Sequence, residues 1–122
     1  MPGIAEDPAA RLLVAQFKRA AMATNFGYQD EDKAMQLAGL RALDRAAKGL
    51  DLLFKEKGRE ALVPLLDDAD LSVRVFAAGY LLKLMPDRAL AVLGDIRLRG
   101  ESEVRVTAGS LLRRFENGTL DM

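Results

Sequence analysis

Two arginines hold repeated addresses in this chain. Arg74 lies four residues after Asp70, and Arg105 four residues after Glu101. That spacing puts acid and base on one helix face. Each Arg is therefore either the structural partner of its own acid and of its counterpart in a neighbouring helix pair, or one cation of a binding strip along a groove. Asp67, Asp68 and Asp70 form a second set, with oxygen ligands spaced closely enough to suggest a Mg²⁺ or Ca²⁺ loop. The Gly and the distal Glu of a calcium loop are missing, and an acidic turn before a helix is explained by capping. The same holds for Gln29 to Asp32. Ser72, Ser102 and Ser110 are hydroxyl nucleophiles in principle. The chain has no His to activate them and no strand–turn–helix elbow. With no Cys either, thiolate chemistry, disulfides and the commonest metal ligands are all missing, so we expect no cofactor, no metal and no catalysis.

Composition sets the frame for these residues. The chain has 122 residues, 50% hydrophobic and 30% charged, which fits a single globular domain with a real core rather than disorder. Lys plus Arg equals Asp plus Glu at 18 each, so the net charge is zero. A nucleic-acid binder is normally clearly basic, because phosphate neutralisation dominates that affinity, and balanced charge argues against one. Met1 to Asp7 has neither the basic start nor the apolar core of a signal peptide. No apolar run approaches the roughly 20 residues that span a bilayer. These features, with the absence of Cys, predict a cytoplasmic protein.

The elements that would position these residues are helices. Asp7-Pro8 is a helix start: Asp caps free amides, and Pro8 sits where a missing N–H costs nothing. Leu13, Phe17, Ala20 and Thr24 then share a face, with Leu12 beside them, up to a break at Asn25-Phe26-Gly27. The acidic run Gln29 to Asp32 opens a second helix. Its apolar positions Met35, Leu37, Leu40, Leu43, Ala47, Leu50 and Phe54 keep helical spacing to Lys57, with Gly58 as C-cap and Gly49 inside one continuous element. A short helix over Arg59 to Leu66 contains Pro64. The Asp67 to Asp70 turn caps a helix from Leu71 to Met85, and Pro86-Asp87 opens another that ends near Arg99-Gly100. Ser102 caps a last helix, Glu103 to Glu116, closed by Asn117-Gly118. No stretch alternates with period two, and the short connections leave no room for a sheet.

The C-terminal half repeats with an offset of 31 residues. Val73-Arg74-Val75 matches Val104-Arg105-Val106, Ala77 matches Ala108, Leu81 matches Leu112, and Leu62 matches Leu93. A period in the 30s with one helix pair per unit is the pattern of a helical solenoid. Val73, Ala77, Tyr80, Leu81 and Leu84 fall within one arc of their helix, as do Val104, Ala108, Leu111, Leu112 and Phe115 in the second copy. On the opposite side the first copy carries Val75, Ala78 and Leu82, the second Val106, Gly109 and Arg113. An inner repeat should be apolar on two sides and a terminal one polar outside, so the last helix reads as a cap.

The acidic residue, Val-Arg, two small residues and Leu resemble the second helix of a HEAT repeat. Asp70, Val73, Arg74, Ala77, Ala78 and Leu81 carry that resemblance, with Glu101, Val104, Arg105, Ala108, Gly109 and Leu112 as a weaker copy. The resemblance implies an all-α, right-handed alpha-alpha superhelix of HEAT-like helical repeats, with side-chain ladders of Asp and Arg between repeats. The whole chain also resembles a family of short bacterial HEAT-like proteins. The likeness is carried by Leu13-Val14-Ala15-Gln16-Phe17, the Ala61 to Asp67 segment and the Val-Arg-x-x-Ala-Ala stretch. That family implies a fold and no activity. The expected organisation is one all-helical domain over 1–122. Residues 8–57 form the N-terminal helices, as further repeats or as a separate hairpin, and 58–118 form two HEAT-like repeats.

A stack of helix pairs without chemistry of its own points to partner recognition. The candidate partner-binding face carries Arg74, Val75, Gly79, Leu82 and Lys83, continued by Arg105, Ser110, Arg113 and Arg114. An apolar strip with basic neighbours suits an acidic protein or helix. By analogy this includes an antidote that blocks a toxic enzyme, while the Val75–Ala78–Leu82 strip could instead form a homodimer seam. The alternative is a HEAT-like groove that binds or processes nucleic acid, as in some DNA-repair glycosylases. It would need aromatics in a basic groove, but the chain has no Trp, and Tyr80 and Phe115 fall on the apolar arc. The basic clusters Lys55, Lys57 and Arg59, Arg97 and Arg99, and Arg113-Arg114 read as solvated helix ends.

Overall fold

The computed structural model describes residues 3–122, and among them there are helices and no strands. After a 3-10 turn, Ile4–Glu6, come α1 (Pro8–Gln29) and α2 (Lys33–Phe54), a 3-10 segment (Lys55–Asp67), α3 (Leu71–Leu81), α4 (Pro86–Arg99) and α5 (Ser102–Glu116). The chain divides into two compact units, one running to Pro64 and the other from Leu65 to Met122.

In the first unit α1 starts where Asp7 and Pro8 require it. Asp7 Oδ1 accepts from the amides of Ala9 (2.9 Å) and Ala10 (3.3 Å). The helix does not break at Asn25-Phe26-Gly27 but runs through to Gln29. Gly27 is there for space: a Cβ on it would lie 2.8 Å from the Gln36 amide nitrogen. Termination comes at Glu31, which takes the left-handed conformation (φ 54°). The Asp32 amide then closes on the Gly27 carbonyl at 2.8 Å and the Glu31 amide on the Tyr28 carbonyl at 3.3 Å, the Schellman pattern. Asp32 in turn caps α2 by accepting from the Met35 amide at 3.0 Å.

α1 and α2 pack along a narrow seam of small residues. Gly39 is buried so tightly that a Cβ would run into the Thr24 hydroxyl. Thr24 is fully buried and donates from Oγ1 to the Ala20 carbonyl at 2.7 Å. Phe17, Leu43 and Leu50 supply the bulk of this core, with Ala10, Ala21, Ala46 and Ala47 between them. Met35, Leu37 and Leu40, expected on the core face, are exposed, because they lie off the Gly39–Leu43–Ala46–Leu50 stripe that meets α1.

α2 is one helix through Gly49, as expected, but it ends at Phe54, and Lys55 (φ 56°) rather than Gly58 makes the turn. In place of a short α-helix over Arg59 to Leu66 the chain forms the 3-10 segment. Pro64 is in keeping with this, since its ring clashes with the carbonyl four residues back in an α-helix. Arg59 makes a two-pronged ion pair with Asp51, Nε to Oδ1 and Nη2 to Oδ2 both at 2.9 Å, which ties the start of this segment back onto α2. The first unit therefore extends past residue 57, the boundary expected from sequence, to Pro64.

In the second unit α3, α4 and α5 each touch the other two. Asp70 caps α3, its Oδ1 accepting from the Ser72 amide at 2.8 Å and from the Ser72 hydroxyl. Of the eleven residues of α3, Leu71 and Arg74 alone are not buried. A helix covered on all sides is an interior helix. It stops at Leu81 rather than Met85 and passes through a turn, Leu84 and Met85 amides both closing on the Leu81 carbonyl, to Met85, which Pro86 holds out of helical geometry (φ −141°, ψ 73°). α4 buries Ala89, Leu93 and Ile96, and α5 buries Val104, Ala108 and Leu111, each a single stripe. Glu101 occupies the capping position of α5, and the Ser102 side chain expected there lies outside the described residues. Asn117 and Gly118 (φ 72°) end α5 in a second Schellman turn, Thr119 amide to Arg114 carbonyl at 2.8 Å and Gly118 amide to Phe115 carbonyl at 3.2 Å.

Candidate functional site

The face expected to bind a partner is partly interior. Val75 and Leu82 are 0% exposed and Gly79 is buried, so they and Ala78 offer no surface to a partner or a second copy. Pattern alone could not separate an apolar stripe covered within the chain from one left open. Lys83 is exposed and Ser110 half-buried, and neither lines the cleft that Arg105 and Arg113 share. Arg114 turns away to Asp121 (3.2 Å). Arg105 and Arg113 come together on the outer side of α5.

Neither repeated arginine forms an ion pair with its acid four residues earlier. Arg74 Nε donates to the Asp68 carbonyl, and Arg105 Nε to the Arg97 carbonyl at 3.1 Å. The physical reason is local. Arg97 lies in the last turn of α4, whose carbonyls have no amide partner within the helix, and Asp68 directly follows the 3-10 segment; in each case a guanidinium from the next helix supplies a donor. Asp70 is meanwhile occupied by capping α3. The acidic turn divides its carboxylates in the same way: Asp67 pairs with Arg88 (2.7 Å), and Asp68 Oδ1 accepts from the Asp70 amide (2.9 Å). Among the described residues no group of three or more Asp, Glu, His or Cys could hold a metal ion, and no helix is long and apolar enough to cross a membrane.

What the fold brings together is a cleft of about 650 Å³ between the outer sides of α4 and α5. Gly94, Arg97 and Leu98 line it from α4, and Arg105, Val106, Gly109, Leu112 and Arg113 from α5. Leu98 is 80% exposed and Val106 69%. Arg97, Arg105 and Arg113 are paired with no carboxylate among the described residues, and no acidic residue lines the cleft. The surface is thus an apolar floor with three uncompensated cations at its rim.

Arg97, Leu98 and Gly94 escape the repeat pattern as a group because they belong to the first helix of the repeat, whereas the repeat match is strongest in the second. A signal was present: Arg97 stands where the first copy has buried Leu66, as Arg113 stands for Leu82 and Val106 for Val75. A smaller cleft of about 480 Å³ lies between α1 and α2, with Ala38 and Ala42 on its floor and Arg19 and Arg45 beside it. Its glycine, Gly39, is accounted for by Thr24. No family model, curated protein or solved structure matches the chain.

Proposed function

We propose that this chain is a non-catalytic protein-interaction module whose C-terminal half is built as HEAT-like repeats. One observation carries the reading. Equivalent faces of the two copies are treated oppositely, with Val75 and Leu82 buried in the first and Val106 and Arg113 open in the second. Apolar side chains held in water beside unpaired arginines cost solvation free energy that a partner's surface would recover. Helical burial periodicity in both copies (Leu62 and Leu93, Val73 and Val104, Ala77 and Ala108 all buried) supports the repeat architecture. Lack of Cys places the protein in the reducing cytoplasm in this reading. An antidote-type binder that occludes an acidic protein surface is one form such a module takes.

Nucleic acid fits the same arginines less well, because no aromatic side chain lines the cleft to stack a base. The test is purification from the native host at near-physiological salt, with a Val106→Asp/Arg113→Glu variant in parallel. A stoichiometric protein recovered with the parent and lost from the variant is the expected result. Recovery of nucleic acid, or of the chain alone, would overturn the proposal.

A further inference from the structure

Resting on that reading, we infer that the α4/α5 cleft receives a helix of another protein, apolar along one face and carrying carboxylates beside it. The glycines select this occupant. Gly94 and Gly109 sit inside α4 and α5, where Gly is less favourable than Ala. Internal packing accounts for neither. A Cβ on Gly94 would meet nothing within 4 Å, and one on Gly109 would meet only Arg113 Nη1, at an ordinary 3.6 Å. Gly39, by contrast, is required by its neighbour Thr24. Both unexplained glycines line the one cleft, one from each wall. Gly94 borders open space and lets an external backbone approach closely, as small residues do wherever helices cross tightly, while Gly109 is buried beside the Arg113 guanidinium and leaves room for that side chain to shift.

Charge selects the rest. Arg105 and Arg113 are eight residues apart on α5, about 12 Å along its axis at 1.5 Å per residue. With Arg97 on the facing helix they frame Leu98, Val106 and Leu112. An occupant helix lying along α5 presents apolar residues to that floor and carboxylates about two turns apart to the arginines. A second copy of the chain is disfavoured on this face, because a two-fold axis would set arginines against arginines.

The experiment is selection of helix-forming peptides with randomised faces on the full-length protein. Each recovered peptide is then measured by fluorescence anisotropy against the parent, Gly94→Leu, Val106→Asp and Arg113→Glu, with circular dichroism confirming that each variant folds. Enrichment of Asp or Glu about two turns apart around an apolar stripe is expected, with binding weakened about tenfold or more by each variant. Arg113→Glu should be partly rescued by peptides whose matching carboxylate is changed to Lys. Peptides that bind all variants equally would overturn the site and leave the interaction module standing. If no peptide is recovered while a single-stranded oligonucleotide binds with Arg113 dependence, both fail.

Discussion

Val75 and Val106 hold the same place in two copies of one sequence pattern, each following Val-Arg, yet the first is fully buried and the second is 69% exposed. The neighbours change with them. Leu82 is buried where Arg113 is open, and Leu66 is buried where Arg97 is open. The opposite arc changes less, with Leu62 and Leu93, Val73 and Val104, Ala77 and Ala108 buried in both, and only Leu112 more open than its counterpart Leu81 among these matched positions. A buried stripe is thus common to both copies, and the face beside it is variable. In the first copy it is interior, and in the second it carries arginines while Val106 is kept and Leu98 stands where the first copy has Asp67. A face made only for solvent would not carry two large apolar side chains with so much of their area in water.

The sharpest break in this comparison is Leu82→Asp against Arg113→Asp. A carboxylate at a fully buried site with no partner should cost more than about 4 kcal/mol and abolish the cooperative thermal transition, whereas Arg113→Asp should stay within about 0.5 kcal/mol of the parent. Circular dichroism melts decide it. Equal effects would mean that the two faces are not treated differently.

Val75→Ala against Val106→Ala removes the same atoms from both copies. The buried site should lose about 2 kcal/mol through lost burial and a residual cavity, and the open site less than about 0.5 kcal/mol. Urea midpoints at unchanged m-value measure the difference.

The arginines sharpen it further. Arg74→Ala should cost about 1–2 kcal/mol, since it strips a charged donor from a carbonyl in a partly buried setting, and Arg105→Ala about half as much at its exposed site. Parity between them, again read from urea midpoints, would mean that burial does not govern these bonds.

The smallest effects have the opposite sign. Gly94→Ala and Gly109→Ala should each raise stability by about 0.5–1 kcal/mol, a rise in Tm of a few degrees, while Gly39→Ala should lower it because its methyl group meets Thr24. Calorimetry separates these outcomes. A loss of stability at Gly94 would remove the ground for calling it a docking feature.

Much of the helical order was legible because it depends on residues close in sequence. Asp7-Pro8, Asp32, Asp70, Pro86 and Asn117-Gly118 begin or end helices through bonds that span two to five residues, and these act wherever the segment lies. Where the local rules misled, another group within about ten residues had the larger claim. Gly27 reads as a terminator but gives room to Gln36, and Gly58 reads as a cap although the turn falls to Lys55. The i−4 spacing of Asp70 and Arg74 promised an ion pair, but the Asp68 carbonyl took the guanidinium.

Which arcs face water was legible in part, since two apolar sides marked the first copy as inner and a polar side marked the last helix as a cap. Periodicity says that Val75 and Val106 lie on a given side of their helices, and the letters on both are the same. Burial depends on what else occupies the space beside that side, a property of the assembled chain rather than of any window of sequence. The sequence by itself determined an all-helical chain, its helix starts and stops, and a repeated core stripe. Only the tertiary structure decided that Val106 and Leu98 share one open cleft with Arg97, because α4 and α5 are brought side by side by packing that no window of sequence contains.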